Sequence, residues 1–137
     1  MSAPFSLRLP AAVIDRLARR ATTTGTQPRT LAQRYVEEGL RRDEHPQIWF
    51  VEGPSGRRAA LVGTGPDVWE VIATVKDNGG DLAATADYLQ IPRWKVEAAV
   101  GYYGAFQEEI DAQIAANEEE SRRGLESYLA GQRALSG

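Results

Sequence analysis

Cysteine is absent from the 137 residues, which rules out disulfides and thiolate metal sites and fits a cytoplasmic location. There is a single histidine, His45, beside Pro46, so neither a histidine-based triad nor a metal cluster can be assembled around it. No apolar run approaches the ~18 residues that span a bilayer, and the N-terminus has no signal-peptide apolar stretch. The Gly63-Thr64-Gly65 loop lacks the lysine and the spacing of a phosphate-binding loop. Glu108-Glu109 and Glu118-Glu119-Glu120 read as a solvated helix face rather than acid–base pairs. The chain is therefore read as a non-enzyme, with no catalytic or metal-binding residue, no cofactor, no small-molecule substrate and no membrane association.

What the sequence does contain is the make-up of a folded chain: 42% hydrophobic and 26% charged residues. The net charge of −3 alone argues against nucleic acid, but its distribution does not. Residues 1–45 hold eight arginines against five acids, a balance of +3, whereas residues 46–137 hold eight bases against fourteen acids, a balance of −6. A basic head on an acidic body suggests that only the head meets phosphate.

In the head, Phe5, Leu7 and Leu9 alternate with Ser6 and Arg8, the period-2 pattern of a short strand with one wet face. Pro10 ends that strand and suits a first helical turn. From Ala11 to Thr24, Val13, Ile14, Leu17, Ala18 and Ala21 recur at helical spacing, and Gly25 stops the helix. Thr26 is an N-cap candidate for a second helix with Leu31, Tyr35, Val36, Gly39 and Leu40 on one face. About 40 residues are too few to bury a core alone, and a lone strand leaves both edges unpaired. A two-fold dimer with antiparallel Phe5–Leu9 strands answers both needs.

Phe5-Ser6-Leu7-Arg8-Leu9-Pro10, followed by Gly25-Thr26, Leu31, Tyr35, Val36 and Gly39-Leu40, resembles the ribbon-helix-helix repressors and antitoxins over residues 4–44. The resemblance implies paired strands in the DNA major groove, with Ser6 and Arg8 reading base edges. It implies backbone amides near Thr26 to Arg29 on phosphate, and dimerisation through Phe5, Leu7, Leu9, Leu31 and Tyr35. Pro4 departs from the family, which often has a polar residue there; base contacts would narrow to two per strand.

Beyond a boundary at His45-Pro46, the spacing predicts strands Ile48–Val51 and Arg58–Val62 joined by a turn with Pro54 at its first central position. A helix follows with a Val68, Ile72, Val75 stripe, then a helix–turn–helix outline from Asp81 to Gly104 with Arg93, Trp94 and Lys95 opening its second helix. That outline serves packing in many small domains, and packing is the expected use. Trp49, Val68, Trp69 and Tyr103 are expected in the core, with Arg57-Arg58 as a hairpin charge pair. Residues 48–116 also resemble a bacterial domain of unknown function often encoded beside PIN-like toxins. The matching stretches are Ile48-Trp-Phe-Val-Glu-Gly-Pro-Ser-Gly-Arg-Arg-Ala59, Asp67-Val-Trp-Glu-Val71 and Tyr102-Tyr103 through Glu108-Glu109-Ile110-Asp111. The likeness implies the antitoxin half of a VapBC-type module.

The last segment is Glu-, Ala-, Arg- and Gln-rich and reads as helical at least as far as Asn117. From there the apolar stripe breaks and resumes weakly at Leu125, Tyr128, Leu129 and Leu135. Gly124 and Gly131 each cost a helix about 1 kcal/mol relative to alanine, so a frayed tail that grips a partner is expected. The whole is read as α+β, mainly α: a ribbon-helix-helix dimer (1–45), a β-hairpin with a three-helix, helix-turn-helix-like domain (46–116) and an acidic helical or disordered tail (117–137). The function expected is a cytoplasmic repressor that binds its own operator and neutralises a PIN-like ribonuclease. A stand-alone regulator without a toxin partner and a pure protein-binding inhibitor are the other readings.

Overall fold

A computed structural model describes residues 2–63 and 65–137, so Thr64 of the Gly63–Gly65 loop lies outside the described residues. The chain is mainly helical with one small sheet and divides into two compact units, up to Asp43 and from Glu44 onward. The division falls two residues before the expected one, and His45 shows why. Its ring packs edge-on against Tyr102 at 5.3 Å and against Phe106 at 6.1 Å, which makes it an aromatic contact of the second unit rather than a linker residue.

In the first unit, residues 2–10 carry no regular secondary structure in the single chain. Helix α1 (Ala11–Thr24) starts where the Pro10 carbonyl accepts from the Val13 and Ile14 amides. Gly25 ends it in the left-handed region at φ 68°, where only glycine sits without a Cβ penalty, and Thr26 returns its amide to the Ala21 carbonyl. Helix α2 (Pro28–Glu44) follows. Among the described residues of this unit only Ala21 and Leu31 are buried.

The second unit opens with strands β1 (Ile48–Gly53) and β2 (Gly56–Leu61), antiparallel from Ile48↔Leu61 to Gly53↔Gly56, with Pro54 and Ser55 as the two-residue turn. Helix α3 (Val68–Asp77) begins after Asp67, and Asn78, Gly79 and Gly80 end it, the glycines at positive φ. Helix α4 (Leu82–Leu89) is capped by the Asp81 carboxylate, which accepts from the Ala84 amide at 3.0 Å. Gln90 turns the chain at φ 57° into α5 (Arg93–Ala105), so the expected helix–turn–helix outline is present. The core gathers one side of the hairpin with α3, α5 and the start of the last helix: Ile48, Leu61, Val68, Val71, Ile72, Val96, Ala99, Tyr102 and Ile110. Trp69 and Tyr103 pack on its margin as expected, but Trp49 does not; it is 44% exposed, on the sheet face opposite Ile48 and Phe50.

Phe106 makes a one-residue break, and α6 (Gln107–Ser136) then runs for 30 residues. Of the two states expected for 117–137, helical or disordered, it takes the helical one. The reason is that a helix pays for nucleation once. Ile110 is buried against the core and Ile114 packs beside it, so the helix is nucleated there and propagates through good helix formers. The ion pairs of Arg122 with Glu119 and Glu126, and of Arg123 with Glu119, add support across each turn.

Candidate nucleic-acid interface

The first unit presents an apolar groove without a filling. Leu7 and Leu9 from the N-terminal segment, Val13 and Leu17 from α1, and Tyr35 and Val36 from α2 line a space of about 670 Å³. Phe5 is 87% and Leu7 63% exposed, while Leu9 is half-buried. Leu31, expected at the dimer contact, is already buried in the single chain. Tyr35 remains exposed and available.

The single chain does not separate the two faces of the expected strand, since Phe5 and Leu7 are exposed along with the polar residues between them. Ser6 and Arg8 are exposed, and so is Arg29. Thr26 is half-buried, and its hydroxyl meets that of Thr24 at 3.0 Å. Helix α2 opens at Pro28, so the residue before it is Gln27, whose carbonyl takes the Leu31 amide. Thr26 therefore shapes the turn and does not cap. The first turn of α2 holds no acid, which leaves its free amides and the positive end of the helix dipole open to an anion.

Charge in this unit is segregated. Arg34 lies 4.0 Å from Glu38 and Arg41 pairs with Glu37 at 2.8 Å. Arg8, Arg16, Arg19, Arg20 and Arg29 have no acidic partner among the described residues. Arg16, Arg19 and Arg20 rim the groove, a placement the sequence pattern did not single out because on a helical wheel they only fall off the apolar stripe. Their spacing of three and four residues was the available signal.

The second unit offers less to phosphate. At the start of α5, Arg93 bonds Glu97 at 3.2 Å, and Lys95 donates to the Val62 carbonyl at 2.9 Å, so both cations are engaged. Arg57 and Arg58 do not act as one pair: Arg57 meets Glu52, while Arg58 is held by the buried Asp67, which also accepts from the Trp69 indole. The expected partner-binding residues Leu125, Tyr128, Leu129 and Leu135 are all exposed on α6.

No family model matches the chain, and neither curated proteins nor solved structures yield a match.

No helix among the described residues is long and apolar enough to cross a membrane.

Proposed function

We propose that the chain is an antitoxin-type repressor, a homodimer that binds operator DNA through its first unit and a PIN-like ribonuclease through its second. The observation that carries the reading is the open groove of the first unit, bordered by unpaired arginines. Two buried side chains do not stabilise some 40 residues. A second copy supplies what is missing: the Phe5–Leu9 segments pair antiparallel as a ribbon, and Leu7 and Leu9 close over the combined apolar faces of α1 and α2.

Pairing sends Ser6 and Arg8 of both copies to the outer face of the ribbon. Arginine matches the O6 and N7 acceptors of guanine with two parallel hydrogen bonds, and serine can donate or accept. The amides and Arg29 at the start of α2 hold phosphate and fix the register without reading sequence. The acidic second unit is repelled by DNA and is left for the protein partner.

The test uses the full chain, the DNA upstream of its own gene and a random duplex of equal length. Binding is expected to favour the upstream DNA and to weaken steeply with salt, as counterion release requires. Salt-insensitive binding, or equal affinity for both duplexes, overturns the DNA reading. Inhibition of a co-encoded ribonuclease by the purified chain tests the other half.

A further inference from the structure

The distal part of α6 carries apolar and charged side chains that its own unit leaves unsatisfied. From Ser121 onward every residue is exposed. Leu125, Tyr128 and Leu129 are 58%, 61% and 41% exposed. With Gln132 and Leu135 they recur at i, i+3, i+4, i+7 and i+10, one stripe of a helix. Ile114 lies about three turns before Leu125 on the same side. The face that packs on the core thus continues beyond it uncovered.

The charges narrow what can cover it. Arg122 and Arg123 are satisfied within the helix by Glu119 and Glu126. Glu118 and Glu120 at the start of the segment, and Arg133 near its end, have no ion pair among the described residues. Glu118, seven residues before Leu125, lies on the line of the stripe, and Arg133 stands about four turns further along at its edge. A covering helix must therefore bring apolar side chains to the middle, a cation to one end and an acid to the other.

We propose that the distal halves of α6 from two copies of the chain pair antiparallel, crossing near Ser127. Leu125 of each copy then meets Tyr128 and Leu129 of the other. The acidic start of each segment meets the Arg133 end of its mate, and the two helix dipoles oppose. A parallel pair instead stacks Glu118–Glu120 on itself and aligns the dipoles. The pairing stands independently of the DNA and ribonuclease reading. A ribonuclease gripping Leu125, Tyr128, Leu129 and Leu135 would have to displace the mate.

The cysteine-free chain gives a direct test. A single cysteine introduced as S121C or S136C carries the only spin label in the full-length protein, and distances between labels of two copies are measured by double electron–electron resonance. A crossing at Ser127 separates the Ser121 labels by about 18 Å along the axis and the Ser136 labels by about 27 Å. Two narrow distributions in that order are expected, and L125E with L129E, both outside the core, should broaden them. Similar short distances at both sites mean a parallel pair and overturn the proposal. So do broad distributions at both sites, or narrow ones that the double substitution leaves unchanged.

Discussion

At the scale of single residues, two arginines of the first unit are assigned different duties. Arg8→Ala should cost about 1–3 kcal/mol of operator affinity and relax base preference at the contacted position. Arg29→Ala should weaken operator and random DNA alike and shallow the salt slope by about 1. Competition titrations at several salt concentrations distinguish them, and equal losses on both duplexes for Arg8→Ala would remove it as a base reader. In the second unit the Asp111 carboxylate accepts from the Tyr103 hydroxyl at 2.8 Å and from Lys76 at 3.1 Å. Tyr103 first and Lys76 second hold Asp111 below its usual carboxylate range; Tyr103 and then Asp111 hold Lys76 above the usual lysine value. A depressed carboxylate stabilises the fold above its unfolded pKa, and that contribution is lost as pH falls through the lower folded value. The raised lysine contributes below its unfolded pKa and loses that only as pH rises through the higher folded one. Asp111→Asn should therefore flatten the acid limb of a melting-temperature profile, modestly, because the site is at the surface. Nothing in the sequence pattern marks this trio, since Lys76 and Asp111 are 35 residues apart. Ser6, Arg8 and Arg29, by contrast, are near enough in sequence to be named from local pattern and resemblance, and all three are exposed.

At the scale of elements, the boundaries that could be read in advance are those set by local chemistry. Gly25 stops α1, Pro54-Ser55 turns the hairpin, and Arg93 opens α5. For the distal half of α6 the sequence left helix and disorder both open, because the signal that favours the helix lies in the anchoring of Ile110 and Ile114, not in the segment itself. Its glycines remain weak points. A Cβ at Gly124 or Gly131 meets no atom of the chain within 4 Å. Gly124→Ala and Gly131→Ala should each strengthen the helix by about 1 kcal/mol, seen as slower amide hydrogen exchange from Glu118 to Gln132; unchanged exchange would mean that the glycines do not limit this segment. The expected strand Phe5–Leu9 is not formed in the single chain, where residues 2–10 carry no regular secondary structure.

At the scale of the whole molecule, the two units divide the charge as well as the chain: basic up to Asp43, acidic afterwards. Truncation after Asn117 removes only the distal part of α6, whose residues from Ser121 onward are all exposed. It should leave dimerisation through the first unit and operator binding intact while abolishing the α6 pairing and releasing the ribonuclease. Full inhibition by the truncated chain would move that contact into residues 44–117. The Asp67 cluster also has an optical consequence. All three tryptophans belong to the second unit, and the first has only Phe5 and Tyr35 as aromatic rings. Trp49 and Trp94 already face solvent, whereas the Trp69 indole is half-buried and donates to Asp67 at 3.0 Å beside Arg58. Indole emission is thus a private channel for the second unit, dominated in its changes by a single fluorophore. The first unit can melt while that colour stays fixed, so fluorescence and circular dichroism recorded together separate the two halves of one chain without cutting it.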